Sequence, residues 1–292
     1  MLKDMNRFRF RSWLVIGLAL AAVAHAVRPP ARAQSPDVFP RTLADGTGRR
    51  ITVPARPLAV AMVGDSPELR ALLEPTLLRQ AEPLSAPDTL DWANVGLLVI
   101  SDLYAAVNPA WLNAAEARAV PVFQVSAINS LDDWRAAIAA LGYATGRDGR
   151  AAELLERLER RLEHLAAKFE DRPERRVIVL SPEGYTFGRD TLITDLLAAV
   201  RARNVAAEAG FDDYRQIDDE TLARLAPDVI LLSPAWSAAQ IARLRDNPTL
   251  AGLPAIRRGQ MFRLEFSPTL PDDPAAAAFL LAFILHSAPL LF

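Results

Sequence analysis

GRDGRAAELLERLERRLEHLAAKFEDR, residues 146–172, is the stretch that decides the fold of this protein. Its apolar side chains recur at helical spacing, at Leu154, Leu155, Leu158, Leu162, Leu165 and Phe169. The pattern predicts one helix of about seven turns, roughly 37 Å long at the usual rise per residue, ended by Pro173. The apolar stripe is too short for a coiled coil, so we expect a stiff connector between two halves of the protein.

Strands alternate with helices on both sides of this stretch, which is typical of parallel α/β sheets. A hairpin is predicted at 39–54, followed by strands at 57–63, 96–101 and 120–125 and by helices at 67–73, 109–119 and 131–141. Beyond the connector, strands are predicted at 176–181, 228–233 and 261–265, and helices at 191–201, 219–225, 237–245 and 273–285. The sequence predicts an α/β fold of two Rossmann-like lobes, residues 34–146 and 173–292, joined by one long α-helix over 147–172, with a ligand cleft between the lobes.

Residues 1–33 have the layout of a cleavable signal peptide. Arginines precede the apolar run WLVIGLALAAVA (13–24), and small-residue cleavage sites end at Ala26 and Ala33. A membrane anchor is the alternative, but the run is shorter than the roughly 20 residues that a spanning helix needs. We therefore expect secretion to the periplasm, with Ala33 as the better cleavage site.

Composition excludes several classes of site. The 292 residues include 33 Lys or Arg and 35 Asp or Glu, a formal net charge of −2, which gives no reason to expect a nucleic-acid partner. There is no cysteine, so disulfides, thiolate metal sites and a thiol nucleophile are excluded. Beyond the leader only His164 and His286 remain, whereas a protein-held metal normally needs several His and carboxylates. We expect neither a bound metal nor a cofactor.

The catalytic motif that the sequence suggests is incomplete. Gly64-Asp65-Ser66 follows a predicted strand and resembles the nucleophile motif of GDS-type esterases, which needs an Asp and a His three residues apart near the C-terminus. Here the late histidine is His286, and Phe283 stands three residues before it. We expect no enzyme, and a secreted enzyme with another mechanism is the weakest of the alternatives.

Loops after strands are the usual ligand positions in open α/β sheets. The candidate ligand-binding residues at such positions are Asp65, Ser66, Asp102, Tyr104, Tyr185, Arg189, Trp236 and Phe266. Aromatic rings together with one arginine suit a planar or apolar ligand that carries anionic groups. The alternative for Trp236 and Phe266 is that they cover the ends of a sheet.

Three stretches together resemble the substrate-binding proteins of ABC importers for iron siderophores, haem and cobalamin. They are FPRTLADGTGRRITVPARP (39–57), TFGRDTLITDLLAAVRARNVAAEAGFDDYRQIDDETLARLAPDVILLSP (186–234) and LRDNPTLAGLPAIRRGQMFRL (244–264). The resemblance implies two α/β lobes bridged by one long helix, with limited hinge motion. It also implies capture of a metal chelate in the cleft and delivery to a permease dimer in the inner membrane, by a monomeric binding protein without bond chemistry.

The same resemblance implies a glutamate on each lobe that docks on arginine pockets of the permease. In the second lobe this residue is Glu220, seven residues before Pro227. In the first lobe the matching position holds Thr89, with Asp88 and Asp91 beside it. Asp88 is the expected substitute, and a sensor or storage protein of the same fold without a transporter remains an alternative. Iron siderophore, haem and corrinoid remain alternatives for the bound chelate. Tyr104 and Tyr185 are the side chains that could ligate haem iron.

Overall fold

A 21-residue helix, α5 (Asp148–Lys168), connects the two halves of the chain. The structure is a computed structural model that describes residues 38–64, 67–269, 271 and 273–287. The predicted signal peptide, Asp65 and Ser66 lie outside the described residues. Helix α5 buries Ala151, Leu158, Leu162 and Leu165, and its other positions are mostly charged. The periodic leucines thus form one apolar stripe that packs against both lobes.

The first lobe is a four-stranded parallel sheet in the order β4-β3-β5-β6. Its strands are β3 (Ala59–Val63), β4 (Leu78–Ala81), β5 (Val95–Ser101) and β6 (Val122–Val125). A hairpin of β1 (Arg41–Ala44) and β2 (Arg50–Val53) precedes them, as predicted. The helices are α1 (Pro67–Leu72), α2 (Asp102–Val107), α3 (Ala110–Glu116) and α4 (Leu131–Thr145).

The second lobe is a six-stranded mixed sheet in the order β10-β8-β7-β11-β12, with β9 also paired to β7. Its strands are β7 (Arg175–Leu180), β8 (Tyr185–Phe187), β9 (Ala202–Asn204), β10 (Tyr214–Gln216), β11 (Val229–Leu232) and β12 (Met261–Arg263). Its helices are α6 (Leu192–Ala199), α7 (Val205–Glu208), α8 (Asp219–Leu225), α9 (Ala238–Arg245), α10 (Pro254–Arg257) and α11 (Pro274–Ala282), which continues into a π-helical turn (Phe283–Ser287). The prediction of two α/β lobes joined by one long helix is confirmed.

One hydrophobic core runs through both lobes. It takes alternate residues of the first sheet, such as Val60 and Val99, and of the second, such as Val177 and Val229. Helices α1, α4, α5, α6 and α11 pack over these faces, so that α5 contacts helices of both lobes. The opposite face of each sheet has a separate core. Residues 38–292 therefore form one compact unit, and the shared helical layer limits how far the lobes can move apart.

Helix α4 begins where the sequence predicts, after Ser130, but runs four residues beyond the predicted end at residue 141. The hydroxyl of Ser130 accepts a hydrogen bond from the backbone N–H of Asp133 (3.0 Å), which satisfies a free donor of the first turn. Gly146 ends the helix with φ +69°, a conformation that favours glycine. Beyond it, the buried Arg41 pairs with Asp148 of α5 (2.6 Å) and donates to the carbonyl oxygen of Tyr143 (2.7 Å). This arginine fixes the hairpin to the start of the long helix.

The structure adds elements that the sequence pattern did not predict. Helix α2 follows β5 directly, where a loop was expected, because Ser101 caps it by accepting from the backbone N–H of Tyr104 (3.1 Å). Strands β4, β8, β9 and β10 are three or four residues long, too short to show a period in the sequence. Among the residues described, no helix combines the length and apolar composition that crossing a membrane requires.

Candidate functional site

A hydrogen bond joins the two lobes beside the carboxyl end of β6. Loop 126–130 leaves the carboxyl end of β6 and leads into α4, whose first residue is Leu131. The backbone N–H of Leu131 donates to Oδ2 of Asp195 in α6 of the second lobe (2.9 Å). Ligands of open α/β sheets bind outside the carboxyl ends of the strands. The carboxyl ends of the strands in each lobe are therefore where the candidate binding residues are expected.

In the first lobe, Tyr104 and Asp102 lie at this carboxyl edge, on the first turn of α2. The half-buried ring of Tyr104 covers Gly64, the residue after β3. Gly64 has φ +84°, and a Cβ there would lie 2.4 Å from Cε2 of Tyr104, so only glycine fits beneath this ring. Asp102 is exposed. The structure thus brings these predicted residues together around the ends of β3 and β5.

In the second lobe the chain reverses after β7, and this separates two residues predicted to lie together. Strand β8 runs antiparallel to β7, with Leu180 opposite Thr186, so Tyr185 lies at the carboxyl end of β7 and is 43% exposed. Arg189 follows β8 and lies roughly 10 Å back along the strand direction from Thr186 at 3.3 Å per residue. Its guanidinium pairs with Asp212 (2.6 Å). Contrary to its predicted place in an edge loop, Arg189 lies away from the edge.

Trp236 and Phe266 both pack against hydrophobic cores of the protein. Trp236 is 7% exposed, packs in the second lobe's separate core and donates its indole N–H to the carbonyl oxygen of Leu180 (2.9 Å). Phe266 is half-buried and packs against the core that the lobes share. Trp236 thus covers the end of β7, which is the alternative that the sequence left open for it. Trp236 in particular offers little surface to a ligand.

A buried polar network, which the sequence reasoning missed, holds the loop before α6. Asn204 is 4% exposed and donates to the carbonyl oxygen of Phe187 (2.6 Å) and to the hydroxyl of Thr194 (2.7 Å). The hydroxyls of Thr191 (2.8 Å) and Thr194 (2.7 Å) both donate to the carbonyl oxygen of Gly188. An Asn between a strand and a helix is the available sequence signal. The network fixes the start of α6, and with it Asp195.

The sequence reasoning also missed charged residues at the second lobe's carboxyl edge. Arg263 is the last residue of β12, is exposed, and makes no hydrogen bond or ion pair with any residue that the structure describes. Glu183 and Glu265 are exposed at the ends of β7 and β12. Side chains at or shortly after the end of a parallel strand are candidates, and this rule would have included all three. The edge therefore carries side chains of both charge signs. Arg263 is the positively charged side chain there, and it has no partner among the described residues.

One tyrosine near this edge has a shifted pKa. Tyr214 lies opposite Phe187 across β10 and β8, and the two rings meet edge to face with 5.1 Å between centroids. Burial, and then the negative charge of Asp213, raise the pKa of Tyr214 above its ordinary value.

The predicted docking residues lie on exposed turns of the two lobes. Glu220 is exposed in the first turn of α8, where it forms no ion pair with a described residue. Hydrogen bonds from Thr221 hold the pKa of the neighbouring Asp218 below its ordinary value, so this cap stays ionised. In the first lobe, Asp88 is 91% exposed and lies 3.4 Å from Arg118.

Thr89, the residue expected at the first-lobe docking position from the resemblance, is likewise exposed. Its hydroxyl donates to the carbonyl oxygen of Ala86 (2.7 Å).

No metal-binding group forms among the described residues: nowhere in them do three His, Asp or Glu side chains converge.

A family model described as "Periplasmic binding protein" matches residues 98–268. A cobalamin-binding protein of Halobacterium salinarum is 27% identical over 263 residues, which cover 78% of this chain and 69% of that protein. An ABC transporter substrate-binding lipoprotein of Bacillus subtilis is 25% identical over 130 residues. That match covers 42% of this chain and 41% of the Bacillus protein, so the chain spans less than half of this relative's length.

Solved structures share the fold at low sequence identity. A possible iron-binding periplasmic solute-binding protein from Staphylococcus epidermidis superposes with a TM-score of 0.69 at 15% identity, over 79% of this chain and 99% of that one. The periplasmic haem-binding protein of Roseiflexus gives 0.64 at 21% identity, over 78% and 98%. A protein of the Fe³⁺-hydroxamate transport system of Saccharomonospora viridis gives 0.62 at 21% identity, over 86% and 100%. Because the family model covers more than half of the chain and spans both lobes, this chain belongs to the periplasmic binding protein family.

Proposed function

We propose that this chain is the solute-binding component of an ABC importer and captures a metal chelate between its lobes. The chelate is an iron siderophore, haem or a corrinoid. The observation that carries the proposal is the family match over 98–268, which begins in β5 and ends beyond β12. Relatives named for binding cobalamin and haem, and for Fe³⁺-hydroxamate transport, support this ligand class.

The proposed binding needs no chemistry on the cargo. A metal that arrives inside its own chelator needs no converging protein ligands, and the protein supplies stacking and charge pairing instead. Tyr104 and Tyr185 are the rings placed for stacking at the two edges, with Asp102 and Arg263 as the nearby charged groups. In this proposal the protein has no cofactor and no catalytic activity, acts as a monomer, and works in the periplasm after removal of residues 1–33.

Delivery to a permease dimer is the second part of the proposal. Glu220 is exposed and without an ion pair among the described residues, as a carboxylate that docks on an arginine pocket should be. Asp88 is the corresponding group of the first lobe, although Arg118 lies beside it. Charge pairs of this kind fix the orientation of a complex and speed its formation.

Titration of the purified protein tests the ligand class. A ferric hydroxamate siderophore, haemin and cyanocobalamin are each added while tryptophan fluorescence and heat of binding are recorded. We expect one of the three to bind with submicromolar affinity and one-to-one stoichiometry. Failure of all three, in protein that unfolds cooperatively, would contradict the proposal. Native mass spectrometry of protein purified from its own cells then identifies the bound molecule.

A sensor or storage protein without a transporter is the second candidate. The observation that favours it is Thr89, a neutral residue at the first-lobe docking position. The candidates differ in their dependence on a permease. Deletion of adjacent permease genes should abolish uptake of the identified chelate if the chain serves an importer, and should leave uptake unchanged if it is a sensor or store.

A further inference from the structure

Helix α11 exposes a ridge of large apolar side chains. Phe279 is 54% exposed, Leu280 39% and Phe283, in the π-helical turn that follows, 56%. The helix has the sequence PAAAAFLLA and carries no charged residue. Single exposed apolar residues are ordinary, but clusters of them mark surfaces that bind something.

The neighbouring helix α5 lines this ridge with arginines and one histidine. Arg157, Arg160, Arg161 and His164 are exposed and lie on the wall of a cavity of about 360 Å³ between α5 and α11. Its apolar floor consists of Leu165, Ala275 and Phe279. An apolar floor beneath a row of guanidinium groups is suited to a molecule with one apolar part and one anionic part.

A second cavity continues the first along α5. It measures about 240 Å³ and shares Arg157, Arg161 and Ala275 with its neighbour, so the two form one groove. Arg150 and the ring of Trp134 line its far end. Its walls include Ala71 of α1 in the first lobe and Asp273, at the start of α11, in the second. The groove therefore spans both lobes, and none of the candidate cleft residues that the structure describes lines it.

Most of these arginines already have a carboxylate partner. Arg161 pairs with Asp273 (2.9 Å), Arg160 with Glu156, and Arg150 with Glu153 (3.6 Å). Arg157, on the wall that the two cavities share, makes no ion pair or hydrogen bond within the described part of the chain. Its guanidinium is the group with full capacity to bind an anion in the groove.

We propose that this groove binds a single-chain amphipathic anion, an alkyl chain with a carboxylate or phosphate head. The head pairs with Arg157 and, beside it, Arg161, while the chain lies on Leu165, Ala275 and Phe279. The site is separate from the cleft of the proposed function and does not depend on it. An occupant would contact both lobes and the helix that joins them.

Calorimetric titration of the purified protein, below the critical micelle concentration of each probe, tests the site. Dodecanoate and dodecyl phosphate should bind, whereas dodecanol and dodecyltrimethylammonium should bind at least tenfold more weakly. Arg157→Gln and Phe279→Ser should each weaken dodecanoate binding about tenfold, since one removes a charged hydrogen bond and the other the apolar floor. Arg243→Gln and Leu84→Ser, exposed residues elsewhere, are the matched controls.

The outcomes separate the proposal from its rivals. Equal weakening in the control variants, or equal binding of all four probes, would mean detergent-like adsorption and would overturn it. Vesicles with and without anionic phospholipid form a further arm. Sedimentation with anionic vesicles, without binding of the monomeric anions, would assign the ridge to a membrane surface and also overturn the proposal. Urea unfolding of each variant confirms that it is folded.

Discussion

The backbone N–H of Leu131 lies 2.9 Å from the carboxylate Oδ2 of Asp195 and joins the first residue of α4 to the first turn of α6. These helices belong to different lobes, and the hydrogen bond lies beside the carboxyl end of β6 in the first lobe. The carboxylate satisfies a donor at a helix N-terminus, where the helix dipole favours a negative charge. The contact is thus a specific hydrogen bond between the two lobes.

Asp195→Ala should lower the free energy of unfolding by about 1–3 kcal/mol, because a half-buried N–H loses a charged acceptor. Urea unfolding followed by circular dichroism measures this change. Glu163→Ala, which removes an exposed carboxylate of α5, is the control and should change stability by less than about 0.5 kcal/mol. Equal stabilities of the two variants would show that the hydrogen bond contributes nothing.

Two glycines near the junction of α4 and α5 should respond in opposite directions to alanine. A Cβ on Gly142 would lie 2.5 Å from Cβ of Ala151, so α4 and α5 would have to separate. Gly142→Ala should therefore cost about 1–3 kcal/mol. Gly149, in the first turn of α5, has open space around its Cα, and Gly149→Ala should stabilise by about 0.5–1 kcal/mol. Thermal unfolding of both variants measures the difference, and a stabilised Gly142→Ala protein would refute the close helix contact.

Side chains at the carboxyl edge of the second lobe should matter more for ligand binding than Arg189. Tyr185→Ala and Arg263→Ala should each weaken binding of the identified chelate at least tenfold. Arg189→Ala should weaken it less than threefold, because this guanidinium pairs with Asp212 away from the edge. Titration of the three variants with the same chelate measures these ratios. A large loss in Arg189→Ala alone would show that the ligand lies further back in the second lobe.

His286 should make stability depend on pH. Its ring stacks on Phe169 with 4.8 Å between centroids, and its Nε2 lies 2.7 Å from the carbonyl oxygen of Val200. Burial lowers the pKa of His286 most, the hydrogen bond to Val200 opposes this, and the charges of nearby arginines lower it further. The folded protein therefore holds the imidazole neutral at a pH where the unfolded chain protonates it.

This difference in protonation determines whether stability rises or falls with pH. Stability from His286 is fully present above its unfolded pKa of about 6.5 and is lost as pH falls below that value towards the folded pKa. Urea unfolding between pH 8 and pH 5 should show that the free energy of unfolding decreases as the pH is lowered. His286→Gln should reduce the dependence of this free energy on pH. His164→Gln controls for loss of an imidazole at an exposed position. An unchanged slope in His286→Gln would remove this residue as its source.

Much of the fold could be predicted because its signals are local. The leucines of α5 repeat at helical spacing, and Ser130 caps α4. The run VGLLVI, residues 95–100, has no polar side chain because both faces of the sheet are covered. The short strands could not be predicted in this way. Strand β8 is three residues long and exists because β7 and β10 flank it, which no local pattern of Tyr185–Phe187 encodes.

The amino-acid sequence by itself determined the two lobes, the long helix between them and the resemblance to metal-chelate binding proteins. These properties depend on periodicity, capping and motif spacing, which are carried by residues close together in the chain. Only the tertiary structure decided that Arg189 lies away from the carboxyl edge, that Trp236 is buried, and that Asp195 joins the lobes. Each of these depends on which segments pair across long sequence separations, and a hydrogen bond between residues 131 and 195 leaves no trace in either local sequence.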